Sequence, residues 1–120
     1  MDSPSIKLTP CRFKIPLAYN DGTPVEEDRL DAMLDQLYIE FGGSTVEGTE
    51  KGTYRRDDTG EKQVEYMLKV CVGVEGEKGV DRLRQMVSEI GGELDQESMY
   101  FEVSTGSVIE LIPSQKKGDR

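Results

Sequence analysis

The chain has 120 residues and a net charge of −9 at neutral pH, with 35% apolar and 32% charged residues and no histidine. That length suits a single domain around one core, and the periodic apolar segments set it apart from disordered chains. The acidity disfavours phosphate backbones and anionic membranes as partners.

No apolar run approaches the roughly 20 residues of a membrane span. The opening MDSPSIKLTP lacks the basic start and apolar stretch of an export signal, so a cytoplasmic protein is expected. The expected organisation is an N-terminal arm at 1–10, one domain at 11–112 and a disordered tail at 113–120.

Cys11, Phe13, Ile15 and Leu17 alternate with Arg12 and Lys14, which is strand periodicity, and Pro16 is tolerable near the strand's end. Thr23-Pro24-Val25-Glu26 has the form of a capping box, with Thr23 as the cap and Pro24 at the first helical position. Leu30, Met33, Leu34, Leu37, Tyr38 and Phe41 then recur at helical steps, and Gly42-Gly43 supplies a left-handed exit. Residues 21–50 hold nine acids against Arg29 alone, a local charge of −8. Asp28, Asp31 and Asp35 among them form an outer stripe that reads as a solvated helical face, since nothing supplies the converging oxygens of a calcium loop.

The stretch GGSTVEGTEKGTYRR at 42–56 reads as an edge strand in which Gly48 and Gly52 permit a bulge. DDTG at 57–60 is a turn that joins it to the alternation of Val64, Tyr66, Leu68, Val70, Val72 and Val74. Pairing about that turn sets Arg56 opposite Glu61, Tyr54 opposite Gln63 and Gly52 opposite Glu65. Val64, Tyr66, Leu68 and Val70 then point to the helices. Tyr54, Gln63, Glu65, Met67, Lys69 and Cys71 line the open face, with Arg12, Lys14, Tyr100 and Glu102.

GVEGEKGV at 73–80 matches no phosphate-binding loop, and Glu75 and Glu77 would repel an anion there. Val80, Leu83, Met86, Val87 and Ile90 define a second helix that stops at Gly91-Gly92. Met99, Phe101 and Val103 give another strand, and Val108–Ile112 a further short one. The order β-α-β-β-α-β is that of an α+β, ferredoxin-like split βαβ plait, a four-stranded antiparallel sheet with both helices on one face.

Cys11 and Cys71 are expected as reduced, buried thiols; two thiols without histidine make no ordinary zinc site, and neither metal nor cofactor is expected. The lack of histidine also removes the commonest catalytic base. What remains for catalysis is Tyr54, Arg55, Glu65 and the series Asp95, Gln96, Glu97 and Ser98. A desolvated Glu65 beside Tyr54 would exchange protons, whereas an ordinary sheet carboxylate would pair with Lys69 or Lys14. Aromatics with Arg12, Lys14 and Lys69 suggest single-strand RNA platforms, a reading that the global acidity opposes.

GGSTVEGTEKGTYRRDDTGEKQVE, followed by a helix and then DQESMYFEV, resembles a family of small uncharacterised bacterial proteins, a domain of unknown function. Its series is Gly-x-Thr-Val, Gly-x-aromatic-Arg, Gly-x(4)-Glu and Gln-Glu-Ser, matched by Thr45, Val46, Gly52, Tyr54, Arg55, Gly60, Glu65, Gln96, Glu97 and Ser98. The likeness spans roughly residues 41–103 and departs from the family at Tyr54, where tryptophan is frequent, and at Tyr66, where serine is expected. It implies no activity, but it singles out Tyr54, Arg55, Glu65, Gln96, Glu97 and Ser98 as binding residues.

The expectation is therefore a binding or accessory protein acting through protein contact, as a homodimer or partner subunit, on the open sheet face. The alternatives are a small enzyme or small-molecule-binding protein using Tyr54, Arg55 and Glu65, or an acidic inhibitor that mimics nucleic acid. The enzyme reading requires a concave pocket enclosing those three groups, whereas binding predicts a flat patch matched by a second copy or partner.

Overall fold

The computed structural model describes residues 5–113 and 115. Most of the tail expected to be disordered, and the first four residues of the expected arm, lie outside them. The elements are β1 (Ile6–Pro16), α1 (Glu27–Phe41), β2 (Thr45–Arg55), β3 (Lys62–Val74), α2 (Gly76–Glu93), β4 (Phe101–Val103) and β5 (Ile109–Leu111). This is an α+β chain with an antiparallel sheet of five strands, not four. The order is β2-β3-β1-β4, and β5 pairs with the start of β1 through Ile6–Leu111, Lys7–Glu110 and Leu8–Ile109. The strand thus begins before Cys11, where the alternation first becomes visible. Among the described residues no helix is long and apolar enough to cross a membrane.

Alternation decides which face is covered. Cys11 pairs with Val72, Phe13 with Val70 and Ile15 with Leu68, so these side chains share one face. Met33 and Leu37 of α1 and Leu83, Met86, Val87 and Ile90 of α2 close over that face in one cluster. Each fully buried side chain there contributes about 1.5–3 kcal/mol through removal from water. Val64 and Tyr66, expected under the helices, share the face but lie beyond the helical cover, 43% and 57% exposed.

Three element ends differ from expectation. Thr23 caps no helix: its N–H and Oγ1 both donate to Asp21 Oδ1, at 2.9 and 2.6 Å, in a local turn. Glu26 is the cap residue of α1, makes no side-chain cap bond, and accepts instead from Tyr19 Oη. The first turn gains from Glu27 and Asp28 beside the positive helix end, and Gly42 closes the helix as expected at φ 84°.

In α2 the glycine pair does not stop the helix, which runs on to Glu93. It ends where Asp95 takes a left-handed φ of 56°, with Asp95 N–H donating to Gly92 O and Gln96 N–H to Gly91 O. This is the Schellman arrangement, displaced a turn from the glycines. β4, finally, begins at Phe101 because Met99 packs down on Gly91.

Candidate functional site

The β2–β3 hairpin builds one wall of a cleft. Arg56 N–H donates to Glu61 O at 2.9 Å and Gly60 N–H to Arg56 O at 2.8 Å, with Gly60 at φ 71°. The Arg56 guanidinium grips Asp58 with two bonds of 3.1 Å. This turn sets the register, with Tyr54 opposite Gln63 and Gly52 opposite Glu65, and places the one irregularity at Val46/Gly48. Tyr54, Gln63, Glu65 and Met67 consequently share the face away from the helices, as the alternation requires.

The opposite wall is the segment after α2. Its left-handed turn at Asp95 is held by Asn20, whose Nδ2 donates to Asp95 O at 2.8 Å, while Gln96 Nε2 donates to Asn20 Oδ1 at 3.1 Å. Those bonds bring Gln96, Glu97 and Ser98 up against the hairpin. The enclosed space is a cleft of about 500 Å³, within the range of small-ligand sites. A second groove, of about 380 Å³, runs behind the same wall, between it and α2.

All six residues singled out from the sequence, Tyr54, Arg55, Glu65, Gln96, Glu97 and Ser98, line the cleft. The open face is therefore concave there, not a flat patch. Arg55 sits at the last ladder pair, opposite Lys62. Glu65 pairs with neither Lys14 nor Lys69 but accepts from Gln63 Nε2 at 2.7 Å. Both lysines go instead to Glu50, at 3.0 and 3.3 Å.

The hydrogen bond from Lys14, then the one from Lys69, holds the Glu50 carboxyl below its usual range, and the bond to Glu50 raises Lys14. Lys14 also stands 4.1 Å above the centre of the Tyr100 ring, so one aromatic surface of the cleft already carries a cation.

Lys14, Gln63, Met67 and Tyr100, expected on the open face, and Asp95, expected in the series before Gln96, also line the cleft, whereas Pro16, Asn20, Arg56, Asp57, Asp58 and Met99 are lining residues that sequence reasoning had not joined to the site. Asn20 carries no signal beyond a turn-forming neighbourhood. Its partner lies 75 residues away and only the fold brings them together. Five lining carboxylates (Asp57, Asp58, Glu65, Asp95, Glu97) face three lining cations (Lys14, Arg55, Arg56), a net charge of −2. Among the described residues no three acidic or thiol groups converge as a metal ion requires. Cys11 and Cys71 are free and buried on opposite sheet faces, and burial raises both thiols above their ordinary range.

No family model matches the chain, and no curated protein matches it. Two solved structures are similar in fold. One is a phage SAM lyase in complex with S-methyl-5'-thioadenosine, 13% identical, with a TM-score of 0.68 over 88% of this chain and 90% of that one. The other is a phage SAM lyase in the apo state, 16% identical, with a TM-score of 0.63 over 92% and 94%.

Proposed function

We propose that the cleft binds S-adenosylmethionine and that the protein cleaves it, releasing S-methyl-5'-thioadenosine. The observation that carries this reading is a small-ligand cleft of matching charge, in a fold shared with SAM lyases over most of both chains. Strand order β2-β3-β1-β4 with both helices on one face supports the ferredoxin-like plait, extended by β5. Six of the ten residues of the resemblance, Tyr54, Arg55, Glu65, Gln96, Glu97 and Ser98, line this cleft, and its concavity favours a small ligand over protein contact.

The chemistry of the ligand suits the lining. S-adenosylmethionine carries a sulfonium, an ammonium and a carboxylate, and is a net cation at neutral pH. An acidic cleft attracts it. Arg56, on the same side of the ladder as Tyr54, offers a guanidinium to the carboxylate, and Glu65 and Glu97 offer oxygens to the ammonium. Tyr54, 44% exposed, is the aromatic surface left for the adenine or the sulfonium, since Lys14 covers Tyr100.

When an oxygen of the substrate's own carboxylate bonds to the carbon attached to sulfur, the carbon–sulfur bond breaks with its electron pair going to sulfur, so the four-carbon fragment leaves as a lactone that keeps its ammonium and the sulfonium becomes a neutral thioether. A carboxylate gripping the sulfonium would favour the substrate over the transition state, where that charge is fading. The acids therefore serve better at the ammonium, and the soft ring face at sulfur.

The test is incubation of purified protein with S-adenosylmethionine, following the thioether and the four-carbon fragment by mass spectrometry. Calorimetry with S-methyl-5'-thioadenosine runs in parallel. Turnover is expected, and Glu65→Gln should lower it about ten- to a hundredfold, the size of a lost charge-assisted hydrogen bond. Binding without turnover would reject the lyase and keep the ligand. Neither binding nor turnover would reject both.

A further inference from the structure

We propose that Gly52 is a positioning residue for this cleft: its missing side chain is the seat on which the Tyr54 ring rests in the ligand-binding pose. The inference rests on the small-molecule reading above and extends it to a residue that touches no ligand.

Gly52 and Tyr54 are two apart on β2 and so share the sheet face that floors the cleft. The tyrosine folds back along its own strand. A Cβ placed on Gly52 would stand 2.5 Å from both Tyr54 Cε2 and Tyr54 Oη, and 2.7 Å from Met67 Cε. Tyr54 Oη in turn donates to Met67 Sδ at 3.6 Å, which holds the ring's outer edge over the glycine. Carbon atoms do not approach so closely, so a side chain at 52 and this ring position exclude one another.

The backbone itself has no need of glycine here. Among the described residues the positive-φ glycines are Gly22, Gly42, Gly48, Gly60, Gly76 and Gly106, and Gly52 is not one of them. What must yield to alanine is a ring edge and a thioether methyl, both at the free ends of side chains, not backbone. The cost of substitution falls on the pose of Tyr54 and spares the fold. Gly48 is the opposite case: at φ 129° on the bulge it has open space around it, and there the backbone makes the demand. A ring swung off Gly52 takes with it the one tyrosine face in the cleft that Lys14 leaves free.

The experiment is calorimetric titration of S-methyl-5'-thioadenosine into wild type, Gly52→Ala, Tyr54→Ala and the double variant. Circular dichroism and unfolding midpoints verify the fold, and the Met67 methyl resonance reports the ring. Gly52→Ala should bind about ten- to a hundredfold more weakly, the scale of a lost aromatic stack, with an unchanged fold and a shifted Met67 methyl. In the Tyr54→Ala background the same change should cost less than about twofold, because the group it acts through is gone. Wild-type affinity in Gly52→Ala, or losses that simply add in the double variant, would overturn the proposal and leave the reading of the cleft standing. No binding by the wild type would overturn both, and that titration tells the two failures apart.

Discussion

Glu50 answers to two lysines from two different strands, Lys14 of β1 and Lys69 of β3. Its carboxyl is held below the ordinary range by those hydrogen bonds, so it stabilises the fold above the unfolded carboxylate value of about 4.3 and loses that effect as acid protonates it. Lys14, raised by the same bond, contributes fully below its ordinary range and loses its share only in alkali. Glu50→Gln should therefore melt below wild type at neutral pH, and the gap should close as the pH falls below about 4. Melting curves of both proteins across that range check it; a gap that persists in acid would show that the side chain acts by packing and not by charge. The alternation in the sequence put Lys14, Lys69 and Glu65 on one face and suggested that they pair. Register alone does not choose among acids a residue or two apart on a ladder, and long lysine side chains reach past the nearest one. Glu50 won because it stands diagonal to Lys69, while Glu65 is already engaged by Gln63.

The glycine pair of α2 offers a contrast within one helix. Gly92 is exposed with open space around it, so Gly92→Ala should raise stability by about 0.5–1 kcal/mol through helix propensity. At Gly91 an added Cβ would stand 2.6 Å from Met99 Cγ, in the middle of a side chain that is packed between helix and cleft wall. Overpacking of that kind costs about 1–3 kcal/mol, so Gly91→Ala should destabilise in spite of the same propensity gain. Denaturant unfolding of the two variants reads the opposite signs, and a shared sign would refute the packing argument. The same pair shows which parts of an element are written locally. Apolar spacing, repeated many times, located α1, α2, β1 and β3, and the turn at residues 57–60 made the glycine- and threonine-rich stretch before it the partner of β3 and fixed their register. Ends are decided by single contacts. Met99 needed a glycine beneath it, Asp95 is steadied by Asn20, and Thr23 found Asp21 before it could cap a helix. β5 forms within Val108–Ile112, where a short strand was expected, but its partner is the stretch of β1 that precedes the visible alternation, and no local signal shows that pairing.

At the scale of the molecule, the site's residues were legible as a motif series but not as a place. Nothing in the periodicity says that Gln96–Ser98 meets Tyr54 and Glu65; that follows from how α2 ends against the hairpin. Charge, by contrast, is readable at once and has a consequence for the whole surface. The chain carries −9, and the cleft itself is acidic by two charges. On the proposed reading the substrate is a cation and the thioether product is neutral, so the protein's field draws in one and ignores the other. Salt shortens the reach of that field from about 10 Å at 0.1 M to about 3 Å at 1 M. Raising the salt should accordingly increase the KM for S-adenosylmethionine several-fold, while the inhibition constant of S-methyl-5'-thioadenosine, which carries no charge, stays nearly constant. Initial rates measured over a salt series, with the thioether as inhibitor, give both constants from one set of reactions. Parallel weakening of the two would place the salt effect on the fold or the cleft's shape, and the acidic lining would then have no part in selecting the cation.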